Sequence, residues 1–152
     1  MKKITLCLMA VLFTATIKAQ DDKQKVERAC FDYIEGFYEA DTVKLLRSIQ
    51  PRLYKIGFYQ RNGDKDYTYS KMTMEEALFY ARKDISENRR MGKPDSPKKV
   101  VVLDLMKVTA AAKVTALWGT DYLLLSKQGD KWMIEEVIWE GPLEMKRNGK
   151  RF

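Results

Sequence analysis

The sequence predicts a single α+β domain, helices first and a mostly antiparallel sheet after them. Two observations lead there. Amphipathic helical spacing fills the first part of the chain, and four long β-favouring runs crowd the last third. A hairpin pattern and a third, well-capped helix lie between them.

The first residues read as a leader for export. Lys2 and Lys3 form a basic start, Ile4 to Phe13 an apolar stretch with mixed small residues to Ile17, and Ala19 a small residue at the cleavage position before Gln20, Asp21 and Asp22. The apolar run falls short of the about 20 residues a bilayer span needs. The alternative is a hydrophobic N-terminal strand. Ile17 stands where a smaller residue is preferred, which leaves the scissile bond open. The expectation is therefore a signal peptide over residues 1–19, a single domain over 20–142 and a basic, polar and mobile tail over 143–152. The mature protein is expected in the periplasm or secreted, without membrane attachment.

Losing 19 of 152 residues leaves 133, enough for one core. Lys2, Lys3 and Lys18 leave with the leader, so the formal charge falls from +7 to +4. That mild excess does not call for nucleic acid. Cys7 also leaves, so Cys30 cannot form an internal disulfide. Cys30 sits at helical spacing among Val26, Ala29, Tyr33 and Phe37, which points to a small buried hydrophobe, with a reactive thiol as the alternative.

Lys23 to Ala40 carries apolar residues at helical intervals. Asp41 can cap a short second helix that Pro51 ends. Leu53 to Gln60, the turn Arg61–Asp64 and Tyr67 to Tyr69 suggest a hairpin. Thr73 and Glu76 fit a capping box for a third helix, which buries Met74, Ala77, Leu78, Ala81 and Ile85 and runs out near Asn88. After a loop through Gly92, Pro94 and Pro97 come Val100–Val108, Ala112–Trp118, Asp121–Gln128 and Lys131–Trp139, with the first turn placed at Thr109–Ala111.

This order, with the helix segment from Ala29 to Asp41 and the strand segments Ala112–Val114, Tyr122–Leu125 and Gly129–Ile134, resembles the nuclear transport factor 2-like superfamily, in the branch of putative lumazine-binding proteins. The resemblance implies a cone: a curved, mostly antiparallel sheet wrapped around the first helices, open at one end, in a homodimer formed through the sheet. The branch name implies a flavin-like or pteridine-like ligand. Gly36 is expected where the concave face of the sheet passes close to the first helix, because glycine there costs about 1 kcal/mol relative to alanine.

The chain has no histidine, which removes His-based triads and the usual zinc and non-haem iron sites. No phosphate loop or nucleophile elbow is present. Asn62–Asp66 alternates oxygen ligands, but Tyr67 and Thr73 stand where a calcium loop needs Gly and Glu, so it reads as a turn. The basic residues from Arg82 to Lys99 are interrupted by Asp84, Glu87 and Asp95 and read as a solvated surface. No metal or cofactor is expected.

Ketosteroid isomerases share the resembled fold, and their first helix carries a tyrosine eight residues before the capping aspartate, as Tyr33 precedes Asp41. Their general base would fall at Gly57, so a base is missing there. Tyr33 is then a polar handle in the pocket or part of the core. Glu136 shares strand parity with Trp132, Ile134 and Ile138, which points it inward unless a bulge changes the parity. Asp121 is similarly open. The pocket set expected from the resemblance is Tyr33, Phe37, Tyr54, Phe58, Trp118, Tyr122, Glu136 and Trp139, suited to a small aromatic or amphipathic ligand; the same rings could instead fill the cone or pack against a second subunit.

The first reading is thus an exported, non-catalytic binding domain, and no catalytic residue is assigned. The alternatives are a histidine-independent isomerase, cyclase or lyase using Tyr33 with Glu136 or Asp121, and a structural domain with a filled cone. An inward carboxylate bonded near Tyr33 beside an open cavity favours the enzyme. An open pocket without a titratable pair favours binding, and a packed cone favours the structural domain.

Overall fold

The computed structural model describes residues 2–60, 64–86 and 92–141, together with Lys146, Arg147, Lys150 and Arg151. Helix α1 runs unbroken from Lys2 to Tyr38, so residues 2–19 and the first helix of the domain are continuous. Its inward stripe is Val26, Ala29, Cys30, Tyr33, Ile34 and Phe37, all buried. The helix closes with Ala40 in the left-handed region (φ 58°) and Asp41 N–H donating back to the Gly36 carbonyl at 2.8 Å. Asp41 then caps α2 (Thr42–Ser48), its carboxylate accepting from the backbone N–H of Val43 at 2.9 Å and Lys44 at 3.1 Å. Gly36 does permit a close approach, but of α2 and not of the sheet: a β-carbon there would lie 2.6 Å from Leu45 Cδ2.

Strand β1 (Ile49–Tyr59) follows α2 directly, so the helix ends before Pro51 and the proline lies inside the strand. It falls where the pairing with β6 is irregular, between Ile49 and Tyr54, a place that tolerates a missing N–H. β2 (Thr68–Met72) completes the hairpin; the expected turn residues 61–63 lie outside the described residues. α3 (Met74–Ser86) starts with the reciprocal capping box, Glu76 N–H to Thr73 Oγ1 at 3.2 Å and Thr73 N–H to Glu76 Oε2 at 2.7 Å.

The meander comprises β3 (Lys99–Leu105), β4 (Thr109–Ala116), β5 (Gly119–Gln128) and β6 (Lys131–Glu140). The first turn lies at residues 106–108, three residues before the expected place. Met106 N–H bonds the Thr109 carbonyl at 2.8 Å, which frees Ala110 and Ala112 to bury their small side chains in the core. The six-stranded sheet has the order β2-β1-β6-β5-β4-β3, antiparallel throughout except for β1 beside β6. This is the α+β order read from the elements, in the cone-like form that the resemblance implies. Within the expected tail, β7 (Lys146–Arg147) and β8 (Lys150–Arg151) pair as a small hairpin.

A bulge in β6 decides which side chains enter the cone. Leu125 pairs with Ile134 and Leu124 with Glu136, leaving Glu135 as the extra residue. Trp132 and Ile134 are buried before it and Val137 after it, so Glu136 and Ile138 turn outward and are exposed. At the start of the domain, buried Asp22 accepts from the Trp132 indole N–H at 3.1 Å and from Lys127, and these bonds hold its carboxyl below the usual range.

Candidate functional site

The inward face of the sheet here mixes aromatic and apolar residues with a glycine and two charged groups. Along β1 beyond Arg52 the buried residues are Leu53, Lys55 and Gly57, while Tyr54 and Phe58 face outward. Register places Gly57 beside Trp139 on β6, and Trp139 beside Asp121 on β5, in one row across three strands. On the other side Gly57 pairs with Ser70 and Lys55 with Met72 of β2.

A buried polar cluster sits at the centre of this row. The Tyr33 hydroxyl donates to Asp121 Oδ2 at 2.6 Å, and the Trp118 indole N–H donates to Asp121 Oδ1 at 2.8 Å. Lys55 Nζ donates to the Tyr33 hydroxyl and lies 4.0 Å from Asp121. Tyr33 and Asp121 are fully buried, and Lys55 is 6 % exposed. The ammonium is ringed by aromatic faces, with Nζ 5.0 Å from the ring centre of Tyr33, 5.1 Å from Phe37, 5.8 Å from Trp118 and 6.0 Å from Trp139. Burial holds the Lys55 ammonium below its ordinary range, with Asp121 acting against that fall. Burial, reinforced by Asp121, pushes the Tyr33 phenol well above its own.

A cavity of about 230 Å³ opens beside this cluster, lined by Phe37, Lys55, Ser70, Met72, Tyr80, Trp118 and Trp139. Lys55 belongs to both the cluster and the lining, whereas Tyr33 and Asp121 lie behind it. The walls are braced by ring contacts. Phe37 and Trp118 meet edge-on at 5.6 Å, and Trp139 stacks on Tyr59 with centroids 6.1 Å apart. Trp139 also lies over Gly57, where a β-carbon would come 1.9 Å from its Nε1. The position of the isomerase base is thus covered by an indole, while a carboxylate, Asp121, occupies the same inward row two strands away.

Of the residues expected from the sequence, Phe37, Trp118 and Trp139 line the cavity and Tyr33 backs it. Tyr54, Phe58, Tyr122 and Glu136 do not join them: all four lie on the outer face of the sheet and are exposed. In β1 and β5 the outward positions happen to be the aromatic ones, and in β6 the bulge at Glu135 reverses the parity. Lys55, Ser70, Met72 and Tyr80 were not anticipated. The parity of Lys55 with Leu53 and Gly57 was available in the sequence, but a lysine in a strand ordinarily signals the solvent face.

The fold is shared with solved proteins. A nuclear transport factor 2-like protein of unknown function from Shewanella baltica matches with TM-score 0.56 and 17% identity over 78% of this chain and 91% of that one. One from Silicibacter pomeroyi matches with TM-score 0.57 and 12% identity over 86% and 98%. A protein of unknown function from Mycobacterium tuberculosis matches with TM-score 0.57 and 12% identity over 84% and 75%. At these identities the likeness carries the fold alone. No curated protein matches the chain. The family model described as "Putative lumazine-binding" matches residues 21–140, nearly the whole folded domain. The chain therefore belongs to the putative lumazine-binding family, on the fold of nuclear transport factor 2-like proteins.

Proposed function

We propose that this protein is an exported binding domain that holds a small, flat, partly polar molecule in the cavity without transforming it. The observation that carries the reading is the cavity itself: about 230 Å³, walled by Phe37, Trp118 and Trp139, with Lys55 and Ser70 as its placed polar groups. That volume suits one or two fused rings, and the family's description points to a pteridine. Lys55 can donate to a ring carbonyl or a carboxylate. Binding without turnover is supported by Asp121, whose two oxygens already accept from Tyr33 and Trp118 behind Lys55. Titration of tryptophan fluorescence with lumazine and flavin is the test. Saturable quenching that weakens in Trp118→Ala supports the reading, and quenching with no saturation counts against it.

The Tyr33–Asp121 hydrogen bond beside an open cavity favours a second reading, a histidine-independent isomerase, cyclase or lyase. It ranks behind the first because both groups are fully buried and neither lines the cavity. Turnover of a carbonyl substrate that Asp121→Asn abolishes would reverse the ranking.

Export is supported by the leader pattern and by a family match that begins at residue 21. N-terminal sequencing of protein recovered outside the cytoplasm should read from near Gln20; an intact Met1 in that fraction contradicts it. The homodimer is supported by the outer face of the sheet, where Tyr122, Leu124 and Ile138 are each about half exposed beside Tyr54 and Tyr69. Tyr122→Glu should convert a dimer to a monomer in light scattering; an unchanged mass rejects this face.

A further inference from the structure

Lysine is a poor choice for a merely structural role at position 55. A buried ion pair is often no more stabilising than apolar residues of the same volume, and the side chain could be methionine without loss of packing. Here the amine borders an open cavity, donates to the Tyr33 hydroxyl and lies 4.0 Å from Asp121.

We propose that Lys55 is a covalent anchor: an aldehyde or ketone carried on a flat apolar ring enters the cavity and condenses with Lys55 Nζ to a Schiff base. This rests on the pocket reading above and names the ligand class of the same site, held by a reversible bond and not turned over. The neutral amine attacks the carbonyl carbon, forming the C–N bond, while a proton passes from nitrogen to the carbonyl oxygen. The carbinolamine then loses that oxygen as water, leaving a C=N bond, and no oxidant or reductant is consumed.

The surroundings fit each step. Burial favours the neutral amine that must attack. The Tyr33 hydroxyl touches Nζ and is bonded in turn to Asp121 at 2.6 Å, giving a short path along which the proton can be handed to oxygen. The Phe37, Trp118 and Trp139 rings present their faces to Nζ and stabilise the positive charge that the nitrogen carries as water leaves, before it gives up its proton. The charged and titratable groups facing Lys55 are Asp121 from β5, Tyr33 from α1 and, across the cavity, Tyr80 from α3.

The test uses the full chain with 2-naphthaldehyde and sodium cyanoborohydride near neutral pH, followed by peptide mapping. The expected result is a reduced adduct concentrated on Lys55, formed ahead of those on exposed lysines such as Lys131. Lys55→Met should abolish it, and Tyr33→Phe should slow it on the order of a hundredfold. The wild-type map decides even if a variant fails to fold: adducts spread over surface lysines, with Lys55 unmodified, overturn the proposal. 2-Naphthalenemethanol, which cannot condense, separates the two claims. If the alcohol protects the protein thermally but the aldehyde spares Lys55, the covalent anchor is wrong and the pocket stands. If neither acts at the cavity, both fall.

Discussion

Trp139 covers Gly57 so closely that a β-carbon at Gly57 would fall 1.9 Å from the indole nitrogen. The two residues sit side by side on parallel strands, and the contact gives the cavity one of its walls. Gly57→Ala is therefore expected to push the indole off the strand. It should cost about 1–3 kcal/mol, the range for forcing an extra carbon into a packed site. Urea unfolding measures the first effect, and loss of ligand-induced fluorescence quenching measures the displaced wall.

Asp121 and Lys55 should prove energetically coupled. Asp121→Ala leaves a buried ammonium without its counter-charge and removes the acceptor of Tyr33 and Trp118, so a loss of about 3–5 kcal/mol is expected. The double variant Lys55→Met with Asp121→Asn should lose less than the sum of the two single variants by more than about 0.5 kcal/mol. Additive losses in denaturant melts would mean that the pair does not interact.

The same pair sets a pH dependence. In the folded protein Lys55 titrates below the 10.5 of an ordinary lysine, so the unfolded chain binds its proton more readily. Lys55 thus contributes a gain in stability as pH rises from its folded value towards 10.5. Tyr33, raised well above 10.0, acts in the opposite direction once the unfolded phenol ionises. The difference between wild type and Lys55→Met should therefore shrink on the alkaline side of neutrality; a flat difference refutes the shift.

Glu35 governs the acid side. Burial pushes its carboxyl up, but hydrogen bonds from Lys44, Lys98 and Arg28 outweigh it and bring the group to about 2, against an ordinary 4.5. Its contribution is fully present above pH 4.5 and is lost as pH falls towards 2. Because Arg28 and Lys98 are well exposed, solvent screening limits this to on the order of 1–2 kcal/mol. Glu35→Gln should flatten the acid limb of the stability profile by that amount.

Cys30 should be inert while the protein is folded. Burial, with Glu27 nearby, pushes its thiol up to about 12. Alkylation mapped to the Cys30 peptide should follow the unfolding rate, and rapid labelling of the native protein would contradict its burial.

Much of the fold was legible because local and global signals agree. Asp41 and the Thr73–Glu76 box mark their helix starts by side-chain geometry that any neighbouring residues would allow. The site was less legible because parity in an open sheet depends on what lies on each face. Tyr54 and Phe58 look like core and face outward, while Lys55 looks like surface and faces inward, since the outer face of this sheet is itself apolar. Glu136 turned on a single bulge at Glu135, which no spacing rule announces. Trp118 and Asp121 were visible as residues of interest, but their hydrogen bond to each other and the link to Tyr33, 88 residues away, exist only in the folded chain.

The most direct test of the binding claim is a thermal-shift panel of flavins, pteridines, steroids, bile acids and polyketide-like aromatics against wild type and Trp118→Ala. A ligand at 100 times its dissociation constant adds about 2.7 kcal/mol of stability, a readily measured shift. A saturable rise in melting temperature with one flat ring class, lost in Trp118→Ala, is the expected result. An unchanged melting temperature across the whole panel contradicts the pocket and leaves the cone as a packing device.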